Sequence, residues 1–366
     1  MQYRKFLEII RFSINSGNSS IPDVDELNWS DFYQFVREQA LVGVVFEGVA
    51  RLGEQGVKPP LHLLMEWIAT AEQIKQRNYL LNEESKRLTQ LFENEGHRTV
   101  VLKGQANARL YPNPLCRQPG DIDIWVDGGE KRVLSLLVNL GIIESKDIVS
   151  YEDETKATKV YHHVHLPVNK RQIDVEVHFR PSSGIWNPIY NRRLQLYLEK
   201  EIHQDNLMME EGFRVPSLQF ALIMQLAHIQ KHFLEYGVGL RQLVDYFFLL
   251  KDRKENNTNI TETLLRNLGL WNMAGAVMWI MSDILGLDNE LLIAPKNKRR
   301  GQILLKAIVD GGNFGMYSAE KQSTHIKRLR LLSFDPDEVI WAECRSLKMQ
   351  INDAFRNLKH RETPCS

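Results

Sequence analysis

The stretch that decides the fold is Arg117-Gln-Pro-Gly-Asp-Ile-Asp-Ile-Trp-Val126, in which two acidic residues alternate with apolar ones. Side chains two positions apart on a strand project from the same face, so Asp121 and Asp123 would present their carboxylates together. Two unpaired carboxylates repel each other, and a divalent cation relieves the repulsion. Mg²⁺ prefers oxygen ligands of this kind. The stretch indicates either a metal-binding strand or a solvent-facing edge strand with two acids.

A second acidic strand is predicted from Ile173 to His178, where acidic and apolar residues alternate again. If this strand pairs beside the first, Asp174 or Glu176 can complete a cluster of three carboxylates. Both acids lie on one face, so the spacing does not choose between them. Two such strands in one short segment favour a metal site over two unrelated amphipathic strands.

A third feature is the apolar run that ends at Lys103-Gly104, before a helix predicted from Gln105 to Leu110. A tight turn at Gly104 would aim backbone N–H groups and the positive end of the helix at an anion. Lys103 would add a charge, and Arg117 would contact a phosphate or neutralise the carboxylates. These residues indicate either a phosphate-binding turn or an ordinary strand end with a solvated arginine.

The surrounding chain predicts an α+β fold, a small mixed-sheet core between two helical regions. Residues 1–96 are helical in pattern, with a helix capped by Ser30 and a long amphipathic stretch that ends near Gly96. Residues 97–185 form the α+β core, and residues 186–366 return to a helical pattern.

Composition narrows the function further. The 366 residues carry 46 basic and 46 acidic side chains, so net charge provides no overall attraction to nucleic acid or an anionic membrane. The three cysteines include no close pair, and no apolar run approaches the length of a membrane span. A cytoplasmic protein is expected. Residues 296–330 hold nine Lys/Arg and two acids. This basic stretch could line a channel for nucleic acid or a polyphosphate, but a solvated helix pair joined by a loop is the favoured interpretation.

Histidines provide two weaker signals. His228 and His232 lie four residues apart and share a helical face, but no HExxH glutamate accompanies them, so zinc is not favoured. The second group is His162, His163, His165 and His178. Neighbouring strand residues face opposite ways, so at most three of these four are expected to converge, with His178 packed beneath the carboxylate strand.

The order of these elements resembles the nucleotidyltransferase superfamily typified by DNA polymerase beta. It resembles more closely a bacterial branch known as uncharacterised nucleotidyltransferases. The motifs that carry the resemblance are Leu102-Lys103-Gly104, Arg117 to Asp123, and Glu176-Val-His178-Phe179. It covers roughly residues 25–250, and in that pattern Arg241 and Asp245 form a structural ion pair. The sequence departs from the family pattern at two points: the superfamily's Gly-Ser is absent, and the third acid is a glutamate instead of the more usual aspartate.

The resemblance implies a two-metal phosphoryl-transfer site. Asp121 and Asp123 would bind Mg²⁺, for which Mn²⁺ can substitute, and Glu176 would ligate the metal nearest the attacking hydroxyl and act as its general base. The residues implied for the triphosphate are Lys103, Gly104 and Arg117. The expected reaction moves a nucleoside monophosphate from NTP to an unidentified acceptor hydroxyl, on a small molecule or a protein. Because Gly-Ser is absent, the alternative is a catalytically inactive nucleotide-binding or regulatory module of the same fold.

Overall fold

In the described part of the chain, four helices precede the first strand. They are α1 (Gln2–Ile14), α2 (Trp29–Glu38), α3 (Val42–Glu54) and α4 (Leu61–Asn94). The computed structural model describes residues 2–15, 21–145, 162–168, 171–204, 206–235, 237–254, 256, 258–316, 331–344 and 347. The predicted cap at Ser30 was wrong by two residues. The Asn28 side chain instead accepts hydrogen bonds from the backbone N–H groups of Ser30 and Asp31, because the extended backbone lies at Asn28.

A four-stranded mixed sheet follows α4. Its strands are β1 (Thr99–Val101), β2 (Ile122–Val126), β3 (His163–His165) and β4 (Val175–His178). Their spatial order is β1-β2-β4-β3, with β2 and β4 parallel and both outer pairs antiparallel. Among the described residues of this region two helices form, α5 (Gln105–Ala108) and α6 (Gly129–Asn139). The α+β core predicted between two helical regions is confirmed.

The two faces of the sheet differ as the alternating pattern predicted. The apolar face packs against α4 and α6, and its buried side chains are Ile122, Ile124, Val126, Val164, Val175 and Val177. On the parallel pair, Asp123 lies opposite Glu176 and Trp125 lies opposite His178, so these four side chains share the other face. The sheet thus offers its polar face to the C-terminal helices.

The chain then returns to helices, with one short hairpin. These elements are α7 (Pro188–Ile202), β5 (Leu207–Met208), β6 (Arg214–Val215), α8 (Leu218–Glu235), α9 (Leu240–Asp252), α10 (Glu262–Asn267), α11 (Trp271–Trp279) and α12 (Lys298–Gly311). Residues 331–334 and 336–344 are also helical. One apolar core joins the first and last regions, since Phe32 and Trp67 belong to the same cluster as Phe220 and Phe247. The boundaries at residues 96 and 185 remain predictions.

Two sequence predictions fall partly outside the described residues. The basic stretch is described only as far as residue 316, where α12 forms as expected, and residues 317–330 lie outside. The apolar pattern from Lys159 to Val168 also predicts a strand; of this stretch residues 162–168 are described, and β3 forms at His163–His165. Among the described helices, none combines the length and apolar character needed to cross a bilayer.

Candidate active site

A cleft lies between the polar face of the sheet and helices α8 and α9. Its cavity measures about 1230 Å³. All six residues that the sequence singled out for metal or triphosphate line it: Lys103, Gly104, Arg117, Asp121, Asp123 and Glu176. The chain therefore brings these segments to one cavity, although they are spread over more than seventy residues of sequence.

At the centre of the cleft, His178 joins the two acidic strands. Its Nε2 lies 3.0 Å from Asp123 Oδ1 and 3.2 Å from Glu176 Oε2. His178 follows Glu176 by two residues, so the strand alternation places both on the polar face. The prediction that His178 packs beneath the carboxylate strand was therefore wrong. Its imidazole holds the two carboxylates together instead.

Lys103 provides the second positive group of the cluster. Its Nζ lies 3.2 Å from Asp123 Oδ1, a carboxylate that is almost fully buried. Burial opposes the charged ammonium, but the carboxylates of Asp123, Asp121 and Glu176 outweigh it and raise the pKa of Lys103. Correspondingly, burial favours protonation of Asp123, yet Lys103 and His178 lower the pKa of its carboxyl. Asp123 is thus an anion held between two cations.

Burial and nearby charges also act in opposite directions on the pKa values of Glu176 and His178. Burial opposes ionisation of Glu176, but the hydrogen bond with His178 and the nearby His163 lower its pKa to about 2. Burial likewise opposes the charged imidazole of His178, but its bonds to Asp123 and Glu176 raise its pKa to about 8. Near neutral pH, Glu176 is therefore ionised and His178 is largely protonated.

The strand register distinguishes Glu176 from Asp174, which the spacing left open. Glu176 lies directly opposite Asp123, whereas Asp174 is exposed and precedes β4. The backbone carbonyl of Asp174 accepts a hydrogen bond from Ile122 N–H at 3.0 Å. Asp121 also precedes its strand and lines the same cleft, but it is not among the described groups whose ligand atoms converge within 4.8 Å. Asp123, Glu176 and His178 do converge to that degree.

Arg117 lies in a buried ion pair rather than in open solvent. Its Nε donates to Asp245 Oδ1 at 2.8 Å and its Nη2 donates to Oδ2 at 2.9 Å. Tyr111 donates its hydroxyl to the same carboxylate at 2.6 Å. The partner predicted for Asp245 was Arg241, which instead donates Nη1 to the carbonyl of Pro119 at 3.3 Å. Both arginines therefore brace the loop that leads into Asp121.

Asn78 also positions this loop, although it was not among the residues predicted for the site. Its side-chain nitrogen donates to the carbonyls of Leu115 and Arg117 at 2.7 and 2.8 Å, and the residue is fully buried. The signal was present, since Asn78 interrupts the apolar stripe of α4 between Ile74 and Leu81. A polar residue at a buried stripe position indicates a specific hydrogen bond.

The turn at Gly104 has the backbone that glycine allows. Its φ is +64°, and a Cβ there would lie 3.4 Å from the carbonyl oxygen of Asp121. Helix α5 begins directly after it but ends at Ala108, two residues before the predicted end. A single turn sums few peptide dipoles, so the positive helix end expected to attract phosphate is weak here. The charge of this turn comes from Lys103.

Histidines border the cleft on both sides. On α8 the rings of His228 and His232 lie 4.2 Å apart, and burial lowers the pKa of His232 to about 4. On the sheet side, ring contacts link four histidines: His162, His163, His165 and His178. The expectation that at most three of these converge is confirmed among the described residues, where ligand atoms of His162, His163 and His178 come together. The neighbours 162 and 163 both take part because residue 162 precedes β3 and escapes the alternation of the strand.

The donor set at the cluster fits a hard divalent cation. Asp123 Oδ1 contacts Lys103 and His178, but Oδ2 is buried and has no hydrogen-bond partner among the described residues. A buried carboxylate oxygen in this state is costly unless a cation or water satisfies it. Oxygen ligands from Asp123, Glu176 and Asp121 are of the kind that Mg²⁺ prefers.

Comparison with known proteins identifies one family. A family model described as uncharacterised nucleotidyltransferase matches residues 25–286. The match begins just before α2 and ends after α11, so it includes the sheet and both helices that face the cleft. No curated protein and no solved structure matches the chain.

Proposed function

Since the chain belongs to the uncharacterised nucleotidyltransferase family, we propose that it is a Mg²⁺-dependent enzyme that moves a nucleoside monophosphate from NTP to an acceptor hydroxyl. The observation that carries the proposal is the register of the sheet. It sets Asp123 opposite Glu176 at a cleft that Asp121 and Lys103 also line. The acceptor is a small molecule or a protein side chain, and the helices around the cleft would select it.

Asp121, Asp123 and Glu176 would hold the metal. Bound Mg²⁺ would neutralise the triphosphate and stabilise the charge that develops during phosphoryl transfer. Two observations support this assignment: Asp123 Oδ2 is buried with no hydrogen-bond partner in the described part of the chain, and the pKa of Glu176 is lowered, so both groups are anions at neutral pH. His178 would keep the two carboxylates in place through its bonds to both of them.

Lys103 is the residue that we assign to the triphosphate. Its ammonium lines the cleft within 3.2 Å of Asp123, so it lies where phosphate oxygens would meet the carboxylate cluster. Gly104 supports this position because its backbone turns the chain directly after Lys103. We assign Arg117 a positioning role, since its Nε and Nη2 are committed to Asp245.

In the transfer itself, the acceptor oxygen forms a bond to the α-phosphorus. The bond between that phosphorus and the oxygen bridging to the β-phosphate breaks, and pyrophosphate leaves with the bonding electrons. The acceptor proton passes to water in the cleft. The lowered pKa of Glu176 favours the ionised carboxylate that a metal ligand needs, so we propose that Glu176 acts as a ligand. Positioning and charge neutralisation carry most of the catalysis in such a reaction.

The inactive-module alternative is less well supported. An inactive module would be expected to have carboxylates that point apart or a cleft filled by side chains. Instead, Asp123 and Glu176 converge with His178, and the cavity beside them is large enough for a nucleotide. The absence of Gly-Ser remains the feature on which the alternative rests.

The proposal is tested by pyrophosphate release from each NTP in millimolar Mg²⁺, with and without candidate acceptor alcohols. Wild-type protein is expected to release pyrophosphate, and the variant with Asp121→Ala and Asp123→Ala is expected to lose that activity. Glu262→Gln is the matched control, because Glu262 is an exposed acid in an ion pair on α10. Failure of every NTP to bind in Mg²⁺ would contradict the proposal.

A further inference from the structure

We propose that His163, His165 and Glu176 form a binding site for a divalent transition-metal ion of the Zn²⁺ type. The site lies beside the carboxylate cluster, on the same face of the sheet. Strand β4 runs between β2 and β3, so Glu176 stands between Asp123 on one side and the two histidines on the other. The inference rests on the proposed function only in that Glu176 serves both sites.

The distances suit a single ion. The Nε2 atoms of His163 and His165 are 3.1 Å apart, and His165 Nε2 lies 3.8 Å from Glu176 Oε1. One ligand atom from each of the three residues lies within 4.8 Å of the other two. A tetrahedral ion with bonds of about 2.0–2.1 Å separates its ligand atoms by about 3.3 Å, so small side-chain rotations would complete the site.

The neighbouring histidine selects the ligand atom of His163. Its Nδ1 lies 3.0 Å from Nε2 of His162. When Nδ1 carries the proton and donates it to His162, Nε2 of His163 presents a lone pair toward His165. Metal-binding histidines are usually held in one tautomer by such a bond from the second ring nitrogen.

Glu176 supplies the negative charge, and its two oxygens face different partners. Oε2 lies 3.2 Å from His178 Nε2, whereas Oε1 points to His165. The distance of 3.8 Å between Glu176 Oε1 and His165 Nε2 is too long for a hydrogen bond. The distance of 3.5 Å between Glu176 Oε2 and His163 Nδ1 is too long for a strong one. The carboxylate therefore approaches both imidazoles without a good bond to either, as an incomplete coordination sphere would.

The site is open on one side. The His165 side chain is 64% exposed, so an ion can enter from solvent and keep a position for water. Two histidines, one glutamate and an open position match the pattern of zinc sites that retain a water ligand. Imidazole nitrogen excludes Mg²⁺ as the preferred ion here, because Mg²⁺ favours oxygen ligands. The two neighbouring sites therefore differ in the metal that they select.

The test is titration of chelator-treated, full-length protein with Zn²⁺ by calorimetry and with Co²⁺ by visible absorption. We expect one ion with the absorption of tetrahedral Co²⁺, and we expect the His163→Ala/His165→Ala variant to lose at least about tenfold in affinity. His62→Ala is the matched control, because His62 is exposed on α4, outside the described groups of converging metal-ligand atoms. Near-UV circular dichroism checks that the variants fold.

Two results would overturn the inference. One is the absence of Zn²⁺ binding by the wild-type protein, which would leave a hydrogen-bonded chain of histidines only. The other is binding that the double histidine variant retains in full. The variant with Asp121→Ala and Asp123→Ala separates this inference from the proposed function. It is expected to lose nucleotidyl transfer and to keep the Zn²⁺ site.

Discussion

Arg117 either binds the triphosphate, as the sequence predicted, or holds the loop before Asp121 through its buried ion pair with Asp245. A double-mutant cycle on Arg117 and Asp245 distinguishes these two roles. The side chains are 5% and 3% exposed and are joined by two short hydrogen bonds. Removing one partner of such a pair leaves a buried charge and costs about 3–5 kcal/mol of unfolding free energy. We therefore expect Arg117→Met and Asp245→Asn each to destabilise the protein within this range.

The two substitutions should not cost the same. Arg241 donates to the carbonyl of Pro119, but its charge also interacts with Asp245 through space, so Asp245→Asn removes a negative charge that stabilises two guanidinium groups. It removes the ionised acceptor of the Tyr111 hydroxyl as well. Arg117→Met leaves Asp245 with both Tyr111 and Arg241, so it should fall at the lower end of the range. The double variant should cost less than the sum of the singles, by about 2–3 kcal/mol.

The assay is urea unfolding of the four proteins, followed by circular dichroism. Arg4→Met provides the control, because Arg4 and Glu8 form an ion pair of 3.0 Å with side chains 85% and 40% exposed. Its loss should change the unfolding free energy by less than about 1 kcal/mol. Additive effects in the cycle, or an Arg117→Met variant as stable as the control, would refute the buried-pair reasoning. A raised KM for NTP with unchanged stability would restore Arg117 as a triphosphate ligand.

Three further predictions concern other parts of the chain. Burial raises the pKa of Glu338 to about 7 from an ordinary 4.5, so the wild type should lose about 3 kcal/mol of stability as pH rises from 4.5 through 7. Glu338→Gln should flatten this dependence in urea unfolding, and parallel pH profiles would contradict it. Gly104→Ala should cost about 1–3 kcal/mol because its φ is +64°, whereas Gly311→Ala, in open space, should cost nothing or stabilise. In transfer assays, Glu176→Gln should lower kcat about 100-fold or more, and equal losses with Asp174→Asn would refute the register argument.

Local patterns predicted the sheet and its polar face because they depend on spacing along the chain. The alternation in residues 121–126 and 173–178 determines which side chains share a face, and both strands formed where expected. Glycine at position 104 likewise indicated the turn, since few other residues adopt a positive φ. The apolar stripe of α4 was equally regular, and even Asn78 within it was a readable signal.

Contacts between residues far apart in the chain could not be predicted from the sequence, because no local pattern encodes them. Arg117 and Asp245 are 128 residues apart, and an arginine next to acids in sequence is not thereby their partner. The choice of Glu176 over Asp174 required the register of two strands that are not adjacent in the chain. The predicted position of His178 was wrong for the same reason, since its bond to Asp123 depends on the pairing of these two strands.

The most direct measurement is a crystal soaked with a nonhydrolysable NTP analogue and Mn²⁺, examined by anomalous scattering. We expect an ion that is coordinated by Asp123 Oδ2 and Glu176 at about 2.0–2.2 Å and contacts the triphosphate. We also expect Lys103 to contact a phosphate oxygen. A triphosphate bound elsewhere, or bound while Asp123 holds no ion and keeps only its bonds to Lys103 and His178, would contradict the proposed metal site.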